Sequence, residues 1–242
     1  MAAVQRQESL PLAVPQRDPA LERLLFFADA VYAIALTLLA LELRLPAEAA
    51  HLGGRDLLAS LLGTWPRVLG YATSFTVIAL IWSGHHRMFR MVRRSDGRLL
   101  WLTLLKLGWV AFFPFPAAVM GEHLGDPVAG EFYYGSLLVI VLLAVAGWWY
   151  ASWDRRLVDP DLSPALIRFY RLAPLILAAG FLLVMGLIPL GLGRLIDPVF
   201  LGYVLVLGYI LLDMGGDWEA RLFGHAGWPT MGAGTRRQHA RR

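Results

Sequence analysis

Between Asp29 and Glu42 the chain runs through twelve uncharged, mostly apolar residues, inside the longer stretch 23–45 that begins at Arg23. Such a run partitions into hydrocarbon. An ionisable group at membrane depth is costly unless it is paired or functional, so Arg23 and Asp29 restrict how the helix can be placed. At about 100° per residue, Ile34, Leu38 and Leu41 fall within roughly 60° of one another. Asp29 points roughly 140° away from that stripe. One face is aliphatic; another carries a carboxylate that needs a partner.

The pattern repeats along the 242 residues, of which 57% are hydrophobic and only 17% charged, with a mean hydropathy of +0.56. Soluble domains carry about 25% charged residues. Apolar runs predict six spans, at about 24–45, 57–84 (broken early by Pro66), 99–120, 132–153, 165–190 and 195–214. The reading is an all-α polytopic membrane protein with six transmembrane helices. Residues 1–22 read as a cytoplasmic arm and 215–242 as a cytoplasmic tail, flanking a membrane domain over 23–214. The arm lacks the apolar core and cleavage site of a signal peptide, so the first span is expected to be retained.

Orientation follows from the basic residues. With both termini inside, seventeen Arg fall on the inner side, among them Arg87, Arg90, Arg93, Arg94 and Arg98 after the second span. Arg44, Arg55, Arg67 and Arg194 fall outside, and Lys106 lies within a span. That asymmetry satisfies the positive-inside rule. It also accounts for the +4 net charge without nucleic acid, since no basic and aromatic stripe lies on a soluble face.

Several residues are candidates for more than packing. Asp29 reads first as a structural carboxylate and second as an ion or proton site, with Arg23, His85, His86 and Lys106 at similar depth. Adjacent histidines point about 100° apart on a helix, so His85 and His86 make a poor metal pair. Trp148, Trp149, Tyr150 and Trp153 read as an interfacial aromatic belt. Glu42, about 80° off the Ile34 line, is placed to ring an outer entrance. No Gly-x-Ser-x-Gly elbow, phosphate-binding loop or facing carboxylate pair occurs, and with no Cys there is no thiolate chemistry. Enzyme chemistry is therefore not expected. A secondary transporter with a polar midplane site is the alternative class.

Arg23, Phe27 and Asp29, in Arg-x-x-x-Phe-Ala-Asp followed by Ala-Val-Tyr-Ala-Ile-Ala-Leu-Thr-Leu-Leu-Ala-Leu-Glu, resemble the first-helix signature of the transmembrane protein 175 potassium channels, in their bacterial branch. Trp82, His85, His86, Arg87 and Phe89, and then Pro114-Phe115-Pro116, extend the resemblance over residues 23–120. Ala28 stands where the family has Ser, Thr103 where Asn is expected, and Lys106 where an apolar residue is usual. The resemblance implies a homotetramer in the cell membrane, conducting potassium passively between four first helices and needing no cofactor. Ile34, Thr37, Leu38 and Leu41 would then form a hydrophobic constriction, and Arg23, Phe27, Asp29, Trp82 and His85 a supporting polar knot. A neck of this kind selects by diameter and by the cost of stripping water, without a ring of backbone carbonyls.

Overall fold

The computed structural model describes residues 18–41, 43, 44, 49 and 51–191. The sixth span, most of the arm, the tail and Glu42 lie outside the described residues. Among the described residues, seven α-helices follow in order: α1 (Pro19–Ala40), α2 (Gly54–Gly63), α3 (Trp65–Arg90), α4 (Gly97–Phe112), α5 (Pro114–Glu122), α6 (Pro127–Ser152) and α7 (Pro164–Leu187). Among the described residues the β structure is one isolated bridge, between Val92 and Val158.

Short polar residues set the helix starts. Asp18 caps α1 by accepting from the Ala20 amide, Asp96 caps α4 through Leu99, Asp126 caps α6 through Val128 and Ala129, and Ser163 caps α7 through Leu166. In three of the four the next residue is proline, whose missing N–H costs nothing in a first turn. The fourth span therefore opens at Pro127, five residues earlier than its apolar run suggests.

Proline also divides two spans. The second breaks at Thr64, one residue before the Trp65-Pro66 start of α3, and its inner end runs on to Arg90. The third breaks at Phe113, because Pro114 and Pro116 supply no amide to the preceding turn. In α7, by contrast, Pro174 sits inside an unbroken helix. The first helix ends at Ala40, well short of Pro46, and nothing in the structure accounts for the early stop.

Among the described residues, five segments are long and apolar enough to cross a membrane: Pro19–Ala40, Trp65–Arg90, Gly97–Glu122, Pro127–Arg155 and Pro164–Leu190. α1 packs on α3 and α4, and α6 joins α4 and α5 to α7. Two apolar clusters result. One, around Tyr32, Ile78, Phe113, Leu137 and Phe181, fills the middle. The other, around Leu21, Met88, Leu99, Trp148 and Leu157, closes the Arg-rich end. Trp148 belongs to that cluster and not to an interfacial belt: it is buried, and its indole reaches the Ile167 carbonyl at 3.4 Å. Trp149 and Trp153 remain exposed.

The Arg-rich end is stapled. Beside the Val92–Val158 bridge, the Arg93 amide donates to the Leu157 carbonyl at 2.8 Å and the Asp159 amide to the Met91 carbonyl at 2.9 Å. Arg93 pairs with Asp159, and Asp96 accepts from Tyr150 at 2.6 Å and from Arg156 at 2.9 Å. Partial burial pushes the Asp96 carboxyl up, but the Tyr150 hydroxyl, the Leu99 amide and Arg156 together hold it below the usual carboxylate range. Asp159 is held low by the Asp161 amide and then by Arg93.

Candidate pore helix and its polar supports

The first helix shows two faces. Leu21, Leu24, Ala28, Tyr32, Ala35 and Leu39, spaced three or four residues apart, are buried against α3 and α4. On the other side, Ile34 is 58% exposed, Leu38 38% and Leu41 59%. Leu41 is the C-cap residue and still has α-helical backbone angles, so the aliphatic line continues one position past the helix. The Thr37 hydroxyl donates to the Ile34 carbonyl at 2.8 Å, which holds its oxygen against the helix backbone.

The five residues of the implied polar knot do not all meet. Asp29 accepts from the Trp82 indole at 2.8 Å, joining α1 to α3. Arg23 is exposed, and among the described residues it makes no hydrogen bond or ion pair. Phe27 is likewise exposed, with no ring partner among the described residues. His85 turns away from Asp29 to Lys106, whose Nζ lies 2.6 Å from its Nδ1. His86 is exposed and lies beside the Trp82 ring at 5.7 Å.

Lys106 is the residue that sequence reasoning left without a place. It is buried in α4, 5.8 Å from the Tyr32 ring centroid and beside His85. The available signal was spacing. Asp29 and Tyr32 are three apart on α1, as are Trp82 and His85 on α3, so each pair shares a face. Two rungs follow: Asp29 with Trp82, then Tyr32 with His85 and Lys106. Thr103, one turn before Lys106, bonds within its own helix to the Leu99 carbonyl at 2.8 Å.

Comparison with known proteins agrees with this architecture. The family model for the endosomal/lysosomal potassium channel TMEM175 matches residues 23–114. A potassium channel of Chamaesiphon minutus is 37% identical over 155 residues, covering 61% of this chain and 76% of the relative. One of Streptomyces collinus is 35% identical over 165 residues, covering 66% and 79%. The human endosomal/lysosomal proton channel TMEM175 is 36% identical over 98 residues, which is 38% of this chain but 19% of that protein. Among solved structures, the lysosomal potassium-selective channel TMEM175 homolog from Chamaesiphon minutus superposes with a TM-score of 0.61 at 32% identity, over 79% of this chain and 99% of that one. These relatives and structures are ion channels and not enzymes, in keeping with the missing catalytic set. The chain is a multi-pass membrane protein and belongs to the TMEM175 family.

Proposed function

We propose that the chain is a potassium-favouring cation channel of the cell membrane, conducting passively through a neck formed by α1 of four identical subunits. The carrying observation is the two-faced first helix. Its small and aromatic face is packed inside the subunit, while Ile34, Leu38 and Leu41 project from it unburied. Bacterial relatives named as potassium channels support the choice of ion. Three aliphatic rings, each of four side chains, spread over about 10 Å of helix rise would make a dry constriction. Such a neck favours the cation that sheds water more cheaply, and it shuts when it dewets.

In this reading Ile34 forms the narrowest ring, with β-branched stiffness that holds its side chain in one rotamer. Thr37 lies beside it, Leu38 and Leu41 continue the neck outward, and Glu42 rings the outer mouth. Asp29, Trp82 and the rest of the implied knot, Arg23, Phe27 and His85, serve the scaffold and not the ion path. Potassium is the permeant ion and no cofactor takes part.

The test is reconstitution of the full chain into vesicles under a potassium gradient, with potassium, sodium and proton fluxes measured separately. Potassium flux faster than carrier turnover supports the channel, and flux that saturates at carrier rates overturns it. Light scattering of the full chain purified in detergent tests the assembly, which should have the protein mass of four copies.

A further inference from the structure

The pairing of Lys106 with His85 plays no part in the pore as just described. Lys106 is only 4% exposed and His85 4%, and neither has a carboxylate partner. Among the described residues the ion pairs are Arg93–Asp159 and Arg156–Asp96, both at the Arg-rich end. Asp29, the acid of the neighbouring rung, is engaged by Trp82. At 2.6 Å, one of the two facing nitrogens must donate and the other accept. The pair therefore holds either no net charge or one proton's worth, never two.

Its surroundings leave that proton little else to interact with. The imidazole neighbours the rings of Tyr32, at 5.7 Å, and Phe89, at 4.3 Å. The Tyr32 hydroxyl and His85 Nε2 are buried without a hydrogen-bond partner among the described residues. The titratable groups facing the pair are Tyr32, with Asp29 one turn away, from α1, and Lys106 itself from α4. Near His85, α3 also carries the exposed His86 and, toward its Arg-rich end, Arg87 and Arg90, while the residues of α6 that line the cavity beside Lys106 carry no titratable group. A cavity of about 20 Å³ adjoins Lys106, lined by Val92, Leu99, Thr103 and Trp148 toward the Arg-rich end. It has room for about one water.

Position gives the pair leverage on the pore. Tyr32 is two residues before Ile34, hence about 160° around α1 and about 3 Å along it. Lys106 thus lies behind the helix whose front carries Ile34, one helix diameter plus the 5.8 Å from the Tyr32 ring, or roughly 15 Å, from the proposed ion path.

We propose that Lys106 and His85 form a proton-binding site behind the pore helix, whose occupancy slows the passage of cations past Ile34. The inference rests on the pore reading given above. One proton, taken from water on the Arg-rich side, bridges Nζ and Nδ1, and its charge repels a cation in the neck. At that distance and an effective dielectric constant of about 20, the effect on flow reaches about sixfold.

The test uses the full chain reconstituted in planar bilayers, with potassium current recorded between about pH 5 and pH 9. Wild-type current should rise several-fold as the Arg-rich side is made alkaline. Lys106→Met, which keeps length but not charge, should give the high level at every pH. Lys106→Arg, charged at every pH used, should give the low level throughout. Opposite shifts in the two variants are not expected of a merely structural residue, which would lose current in both. Should the Met variant fail to assemble, the Arg variant alone decides: retained pH dependence in it overturns the site. Dependence that survives Lys106→Met but vanishes in Asp29→Asn also overturns it. A wild-type chain passing no potassium at any pH sinks the pore reading itself, a separate outcome.

Discussion

The Trp82 indole reaches the Asp29 carboxylate at 2.8 Å across the α1–α3 contact, and His85, one turn along the same helix, turns instead toward Lys106. One polar contact thus ties the first helix to the second span and is open to the surroundings, while the other, enclosed, ties the second span to the third.

The outer rung should matter for assembly. Trp82→Phe removes the donor and should cost about 1–2 kcal/mol, less than for a fully buried charged bond because Trp82 is 37% exposed. Asp29→Ala should lower tetramer yield and the thermal midpoint in detergent while leaving ion preference alone. Normal yield with altered permeability would make Asp29 a pore group.

Substitution of Ile34 addresses the neck directly. Ile34→Ala should raise potassium conduction and lower its preference over sodium, since a wider ring admits water; Ile34→Asn should weaken closure by dewetting. Leu36, half-buried on another side of α1, is the control whose truncation should leave selectivity unchanged. Leu39 is no control: it is buried in the core, and Leu39→Ala should cost about 2–5 kcal/mol of stability. Unchanged selectivity in Ile34→Ala would place the aliphatic stripe in lipid.

Acid should loosen the staple at the Arg-rich end. Asp96 and Asp159 are held below their ordinary value of 3.8 in the folded chain. Their contribution is therefore complete above that value and is lost as pH falls through the lower, folded ones. The thermal midpoint should drop on acidification below about pH 4, and the drop should be smaller in Asp96→Asn and Asp159→Asn. An identical acid response in both variants would locate it elsewhere.

Ser74 and Tyr133 share a buried hydrogen bond of 2.9 Å between α3 and α6. Tyr133→Phe and Ser74→Ala should each cost about 1–2 kcal/mol, and the double variant should cost less than their sum. Full additivity in unfolding measurements would show that the two hydroxyls do not depend on each other.

Helices and family were legible because apolar length and proline placement act locally, within one or two turns. The Arg23, Phe27 and Asp29 motif pointed to the family before any tertiary contact was known. Boundaries were less so. An apolar count cannot see that Asp126 caps a helix in what reads as an acidic loop, and it carries Leu41 through Leu45 into a helix that ends at Ala40. The partner of Lys106 was hidden for a different reason. Depth alone offered Asp29 as its counterpart, and only the rotation of α3 shows that Asp29 meets Trp82 while Lys106 meets His85. Trp148 was misplaced likewise, since an aromatic cluster at a helix end does not reveal which ring faces inward.

The Val92–Val158 bridge has a mechanical consequence. Its main-chain bonds weld the inner end of α3 to the turn leading into α7, so neither can slide without breaking them or dragging the other. At the opposite end both neighbouring spans are jointed, at Thr64 and at Phe113. The subunit is thus built like a hand, with fixed knuckles on the Arg-rich side and bendable fingers on the other.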